Sequence, residues 1–227
     1  MILSLINQLE FEFEKNRNDN EAEGMSLYMK NKFSYLGIKK PTRAIIQKDW
    51  FTKIPTNLLR EQKWELVYEL WQKEHREFQY VAMDYMRRWK DKEINFDDAE
   101  QIEFLLTNHS WWDSVDTLAS NYLSRYMRLF PVKGDLLIEK WRESENMWLR
   151  RSCLIFQLRY KEDTNFELMK DLISQFKSEK EFFIQKAIGW CLREYAKTNP
   201  ESVRNFVLES GIQGLAKREA LKYILKN

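Results

Sequence analysis

Glycine and proline are scarce: the 227 residues hold only 6 glycines and 4 prolines. Little interrupts a helix, while leucine, glutamate, lysine, arginine and methionine abound, so helix is favoured throughout. Cysteine is nearly absent. Cys153 and Cys191 lie far apart within helical apolar runs, which excludes a disulfide framework and predicts free, buried thiols in a reducing compartment. Histidine is just as rare, and neither His75 nor His109 stands at a ligand spacing, so no metal site and no cofactor is expected. No apolar run approaches the ~20 residues of a membrane helix. The opening Met1–Leu9 meets Glu10, Glu12 and Glu14 without a basic leader, which argues against a signal peptide. A cytoplasmic protein is expected, with no membrane partner. Finally, an excess of one charge is missing. The net charge is only +2, so a basic surface, if present, must be local.

What the chain does have is a globular balance of 44% hydrophobic and 32% charged residues, which disfavours disorder. Aromatics reach 15%, including 9 tryptophans, and that richness leaves rings to serve a surface. The spacing predicts an amphipathic helix over 2–16 carrying Ile2, Leu5, Ile6, Leu9 and Phe13. A second helix is predicted from Glu21 to Tyr35, with Gly37 as its C′ glycine. Pro41 opens 41–52 from the first turn, and Pro55-Thr56 precedes a helix ending near Lys73. Asp97-Asp98-Ala99-Glu100 resembles a capping box. Asn146, Thr164-Asn165-Phe166-Glu167 and Asn199-Pro200 mark further starts, and Gly211 closes the last of these. No linker or low-complexity segment appears, so residues 1–227 are expected to form one all-helical domain.

A step of 35 residues aligns four helices. Phe78, Asp113, Trp148 and Phe183 form one column, and Ala82, Thr117, Ser152 and Ala187 form a small-residue column. Between them run Val81, Asp116, Arg151 and Lys186, and four residues earlier Glu77, Trp112, Met147 and Phe182. A period of this length, two helices per copy, predicts an α-solenoid of HEAT-like antiparallel helix pairs with a concave face. Equivalent positions in stacked repeats point the same way. One ridge should therefore carry Trp112, Asp116, Arg151, Lys186, Trp190 and Arg193: three cations, two indoles and one carboxylate. Basic residues interleaved with aromatics suit a phosphate backbone.

The stretch Asn108-His109-Ser110-Trp111-Trp112-Asp113-Ser114-Val115-Asp116 is the most distinctive. Asn108 or Ser110 can cap the helix that follows. Trp112 and Asp116, four apart, then share a face. Trp111 and Asp113 fall off that face, which suits core packing and helix N-terminal charge complementation. With Tyr28-Met29-Lys30-Asn31-Lys32-Phe33 and Leu36-Gly37-Ile38, then Trp148-Leu149-Arg150-Arg151 and Gly189-Trp190-Cys191-Leu192-Arg193, the chain resembles the AlkD family of DNA glycosylases over nearly its full length. The resemblance implies a catalytic set of Asp116, Trp112 and Trp190, and DNA contacts from Arg151, Arg193 and Tyr28; Lys186 adds to these from the ridge. It further implies base excision repair: hydrolysis of the N-glycosidic bond of cationic purines such as N3-methyladenine and N7-methylguanine in double-stranded DNA, by a monomer.

Two other readings compete. A hydrolase triad of His109, Ser110 and Asp113 fails because neighbours at a helix start cannot face one another as a triad requires. A non-catalytic helical scaffold that binds DNA or protein has no use for a lone acid inside a basic groove, since the acid repels phosphate. His75, in a charged stretch, is expected to be a solvated surface residue.

Overall fold

A computed structural model describes residues 1–226, and helix dominates them, as the scarcity of glycine and proline requires. No strand occurs among the described residues, only an isolated bridge between Ser34 and His75. The single domain expected from the sequence is a chain whose helices gather into two compact units, Met1–Glu93 and Ile94–Asn227.

The first unit holds α1 (Ile2–Lys15), α2 (Asp19–Tyr28), α3 (Lys40–Lys53), α4 (Arg60–Trp71) and α5 (Arg76–Met86). The apolar stripe of α1 is buried as predicted. Phe13 meets Phe78 of α5 at 5.1 Å between ring centroids, and the Trp50 indole N–H of α3 donates to Leu5 O at 2.7 Å. Helix α2 ends seven residues before the predicted Tyr35. Lys30 and Asn31 adopt left-handed φ of 55° and 54°, and the chain then runs non-helically to Ile38. The competing attraction is the fully buried Glu77, whose carboxylate accepts from the backbone N–H groups of Leu36 (3.1 Å) and Ile38 (3.1 Å). Burial pushes the Glu77 carboxyl above its ordinary range despite those bonds. Gly37 is therefore no helix terminator. Its φ is 79°, and a Cβ there would sit 2.0 Å from Asn18 O, so only glycine lets this segment pass the start of α2. His75 is half-buried at the N-cap of α5, not freely solvated. Helix α4 also begins later than Thr56, at Arg60.

The second unit runs through α6 (Ala99–Thr107), α7 (Trp112–Leu118), a π-helical turn (Ala119–Leu123), α8 (Ser124–Leu129), α9 (Pro131–Arg142), α10 (Met147–Ile155), α11 (Phe166–Phe176), α12 (Phe182–Tyr195), α13 (Pro200–Glu209) and α14 (Gly214–Leu221). Asn146, Asn165 and Asn199 cap α10, α11 and α13 as the sequence predicts, and Gly211 (φ 75°) follows the end of α13. The cap near Asp98 is built differently. Asn95 leads a 3₁₀ turn, and the buried Asp98 accepts from Asn95 N–H (2.7 Å) and from the Tyr122 hydroxyl (2.7 Å). Within this unit α7, α10, α12 and α14 lie in succession, α10 packing on both α7 and α12, and α12 on α14. That succession is the physical form of the repeat register. The all-helical repeat architecture is as expected. Both cysteines are free and buried, and burial pushes the Cys191 thiol up to about 12.

Candidate functional site

The tryptophan pair sits where α6 hands over to α7. Neither Asn108 nor Ser110 caps α7. Both turn back and close α6 instead: Asn108 Nδ2 donates to Phe104 O (3.0 Å) and the Ser110 hydroxyl to Leu106 O (2.7 Å). His109 between them takes a left-handed φ of 51°. Carbonyls at a helix end lack intrahelical donors, so these side chains go there first. The start of α7 falls to Ser114, whose hydroxyl donates to Trp111 O (3.2 Å) and accepts from Trp111 N–H (3.4 Å).

Trp111 is half-buried, more open than the core position its spacing predicts. Its ring meets Trp148 of α10 at 5.6 Å and Phe183 of α12 at 5.2 Å, and those two meet at 5.1 Å. This three-ring cluster joins three successive helices and fixes their spacing. Trp112 and Trp190 are half-buried, each leaving part of its ring to solvent.

Below the cluster Asp116 and Arg151 close on one another. The Arg151 guanidinium donates Nε–H to Oδ1 (2.7 Å) and Nη2–H to Oδ2 (2.8 Å), a two-pronged pair, and its Nη1 donates to Phe183 O. Arg151 is only 4% exposed, whereas the Asp116 side chain keeps 16%. Asp116 and Arg151 meet, as the register predicts, but this placement changes what Arg151 can do. A guanidinium buried and committed to a carboxylate and a carbonyl is a counter-ion and a brace between α7, α10 and α12, not a free clamp for phosphate. The carboxylate, by contrast, keeps lone pairs toward solvent. Burial pushes the Asp116 carboxyl above its ordinary range, a push that Arg151 offsets only in part.

The helix beneath is also unusual. Thr117 donates to Asp113 O (2.8 Å), Ser120 to Asp116 O (2.7 Å) and Asn121 to Thr117 O (2.7 Å). Side-chain donors on these carbonyls compete with the backbone ladder and accompany the π-helical turn at Ala119–Leu123. Such turns are frequent at functional sites. Ser120 and Asn121 escaped the sequence reading because short polar residues on a helix ordinarily face solvent, and Thr117 entered it only as a small residue of the register.

On α12, Lys186 and Arg193 do not project freely. Both pair with Glu219 of α14: Lys186 Nζ lies 3.2 Å from Oε1 and Arg193 Nη1 donates to Oε2. Lys222 reaches the same carboxylate at 2.5 Å. Burial opposes the charge on Glu219, yet Lys222 and Lys186 hold its carboxyl down to about 2. No sequence signal singled out Glu219. Gly189 shows how closely the helices approach: a Cβ there would lie 2.3 Å from Glu219 Cβ and 2.9 Å from Ala216 O. Gly189→Ala is expected to force α14 outward and cost about 1–3 kcal/mol, the range for overpacking. A thermal melt unchanged from wild type would show that α14 yields freely.

Tyr28 belongs to the first unit, in the last turn of α2, and is 72% exposed. No group of histidine, cysteine, aspartate and glutamate suited to a metal occurs among the described residues. None of their helices is long and apolar enough to cross a membrane.

Fold and site together define a helical-repeat protein whose second unit carries an aromatic-lined ridge of paired charges. The chain belongs to the DNA alkylation repair enzyme family, whose model matches residues 9–224. It is similar to a solved structure described as a "Predicted DNA alkylation repair enzyme from Enterococcus faecalis", with 34% identity and a TM-score of 0.83 over 93% of this chain and 98% of that one. No curated protein matches the chain. Membership implies an enzyme of alkylated-DNA repair, with DNA as its partner.

Proposed function

We propose that this chain is an alkylpurine DNA glycosylase of the AlkD type, hydrolysing the N-glycosidic bond of N3-methyladenine and N7-methylguanine in duplex DNA. The observation that carries the reading is Asp116: a carboxylate partly open to solvent, fixed by a buried arginine, on the same helical face as Trp112. Alkylation at N3 or N7 leaves the base positively charged. When the C1′–N bond breaks, its electron pair leaves with the base, which becomes neutral, so no strong acid is needed. The positive charge moves to the sugar. Asp116 stabilises that oxocarbenium-like species and orients the water that adds to C1′ and sheds a proton to solvent. Trp112 and Trp190 offer electron-rich faces to the same cation.

Arg151 lends stability to this arrangement. With both prongs on the carboxylate, it holds Asp116 in one rotamer, so little reorganisation accompanies the charge transfer. Phosphate contact falls to Arg193 and Lys186, which are partly exposed, and in the first unit to Tyr28. The protein acts on its own, as a monomer. The test is incubation with duplex DNA carrying N7-methylguanine and detection of the free base; no release above the spontaneous rate would reject the reading.

One observation favours the non-catalytic alternative. The fork of Arg151 balances the charge of Asp116, and a pair of this kind can simply pin three helices together. The two readings part on pH. If excision needs the ionised carboxylate, its rate falls as pH drops through a value above the ~3.9 of an ordinary aspartate, because burial has raised the folded-state pKa. The fold responds with the opposite sign. A raised folded-state pKa means the native protein takes up the proton before the unfolded chain does, so titration of Asp116 does not itself unfold it. An acid limb in the single-turnover rate at a pH where circular dichroism is unchanged is the expected result. A rate that falls only together with the dichroism would count against Asp116 as the titrating group.

A further inference from the structure

Three cations converge on one carboxylate at the α12–α14 contact. Glu219 is 6% exposed, while Lys186, Arg193 and Lys222 remain 39%, 29% and 52% exposed in their side chains. The acid is thus at the bottom and the bases at the rim. A single carboxylate cancels one of three positive charges, so the cluster keeps an excess of two where solvent reaches it. This is more than an ordinary surface ion pair, because both oxygens are engaged and the approach of α14 over Gly189 holds Glu219 close to α12.

We propose that Lys186, Arg193 and Lys222 form one phosphate seat organised around Glu219, and that Glu219 acts in it as a built-in competitor for the DNA backbone. Lys222 is thereby a phosphate-contacting residue alongside the two on α12. In the free protein the carboxylate gathers the three long side chains. When a strand arrives, its phosphate takes over part of their hydrogen bonding while Glu219 keeps the remainder. Such an internal anion lowers affinity for DNA in general, because each cation must be shared. It makes Glu219 an affinity-setting residue: binding to duplex DNA is held down wherever the backbone is engaged, since phosphate contacts are the same at damaged and undamaged sites. The inference rests on DNA as the partner and not on the excision step, so a chain that binds DNA but excises nothing would leave it standing.

The test measures binding of the full chain to an undamaged, labelled duplex across a salt series. Each phosphate neutralised contributes about 0.9 to the slope of log K against log salt. Lys222→Ala is expected to weaken binding several-fold and flatten the slope by about 0.9. Glu219→Gln, which keeps the shape and removes the charge, is expected to tighten binding several-fold and steepen the slope by a similar amount. A merely structural ion pair predicts the opposite for Glu219→Gln: looser helices and weaker binding. Unchanged affinity and slope in Lys222→Ala, or weaker binding by a folded Glu219→Gln, would overturn the proposal. If Glu219→Gln does not fold, Lys222→Ala and Lys222→Glu decide, the second expected to lose more affinity than the first; equal affinity in both would overturn it.

Discussion

Asp116→Asn should slow single-turnover release of N7-methylguanine from duplex DNA by a factor of about 10²–10³, the loss seen when one group that stabilises transition-state charge is removed. Asparagine keeps the size and one oxygen for Arg151 but discards the charge that the sugar cation requires. The side chain is 16% exposed, so the loss is felt where substrate can reach. DNA binding should survive or tighten slightly, because an acid among phosphates costs affinity. The measurement is base release under saturating enzyme, with dichroism to establish folding. Equal rates in wild type and a folded variant would move the chemistry away from Asp116. Replacing Trp112 or Trp190 by alanine should slow release less sharply, since two rings share one sugar.

Removing the other half of the pair should act on stability first. Arg151→Ala leaves Asp116 without its counter-ion in a site that already disfavours charge, and truncating one partner of a buried pair costs about 3–5 kcal/mol. For a chain of this size that corresponds to a melting temperature lower by roughly 6–20 °C. Arg151→Lys should recover little, because an ammonium cannot span both carboxylate oxygens and Phe183 O at once. The salt dependence of DNA binding distinguishes a brace from a clamp. A phosphate clamp lost at Arg151 would flatten the slope by about 0.9, whereas loss of a buried counter-ion should leave it unchanged. Arg193→Ala, from a partly exposed position, should flatten it. A flattened slope with an unaltered melting temperature in Arg151→Ala would refute the assignment of Arg151 as a brace.

The helical architecture was legible because it depends on local chemistry. Scarce glycine and proline and the asparagine caps of α10, α11 and α13 are properties of short segments, and each held in the structure. The 35-residue register was legible for a related reason: stacked units repeat their packing, so Asp116, Arg151 and Lys186 recur on neighbouring helices. Boundaries were misread where a distant group competed. Helix α2 stops short because the segment after it goes to Glu77, about 40 residues on, and Asn108 and Ser110 serve the end of α6 because its carbonyls are nearer than the start of α7.

By itself the sequence determined that this protein is a helical repeat and that Asp116 and Arg151 stand at matching positions of neighbouring helices. Periodicity and capping are short-range, and a resemblance spanning 9–224 keeps residue types in place. Only the tertiary structure decided the partners. A cation on a helix face has the same pattern whether it points at water, at a phosphate or at an acid on the next helix. The fork of Arg151 on Asp116 and the gathering of Lys186, Arg193 and Lys222 on Glu219 depend on angstrom-scale distances between α7, α10, α12 and α14. Those distances are set by the Trp111–Trp148–Phe183 cluster and the close approach at Gly189, contacts between residues 27 to 72 positions apart that no local window contains.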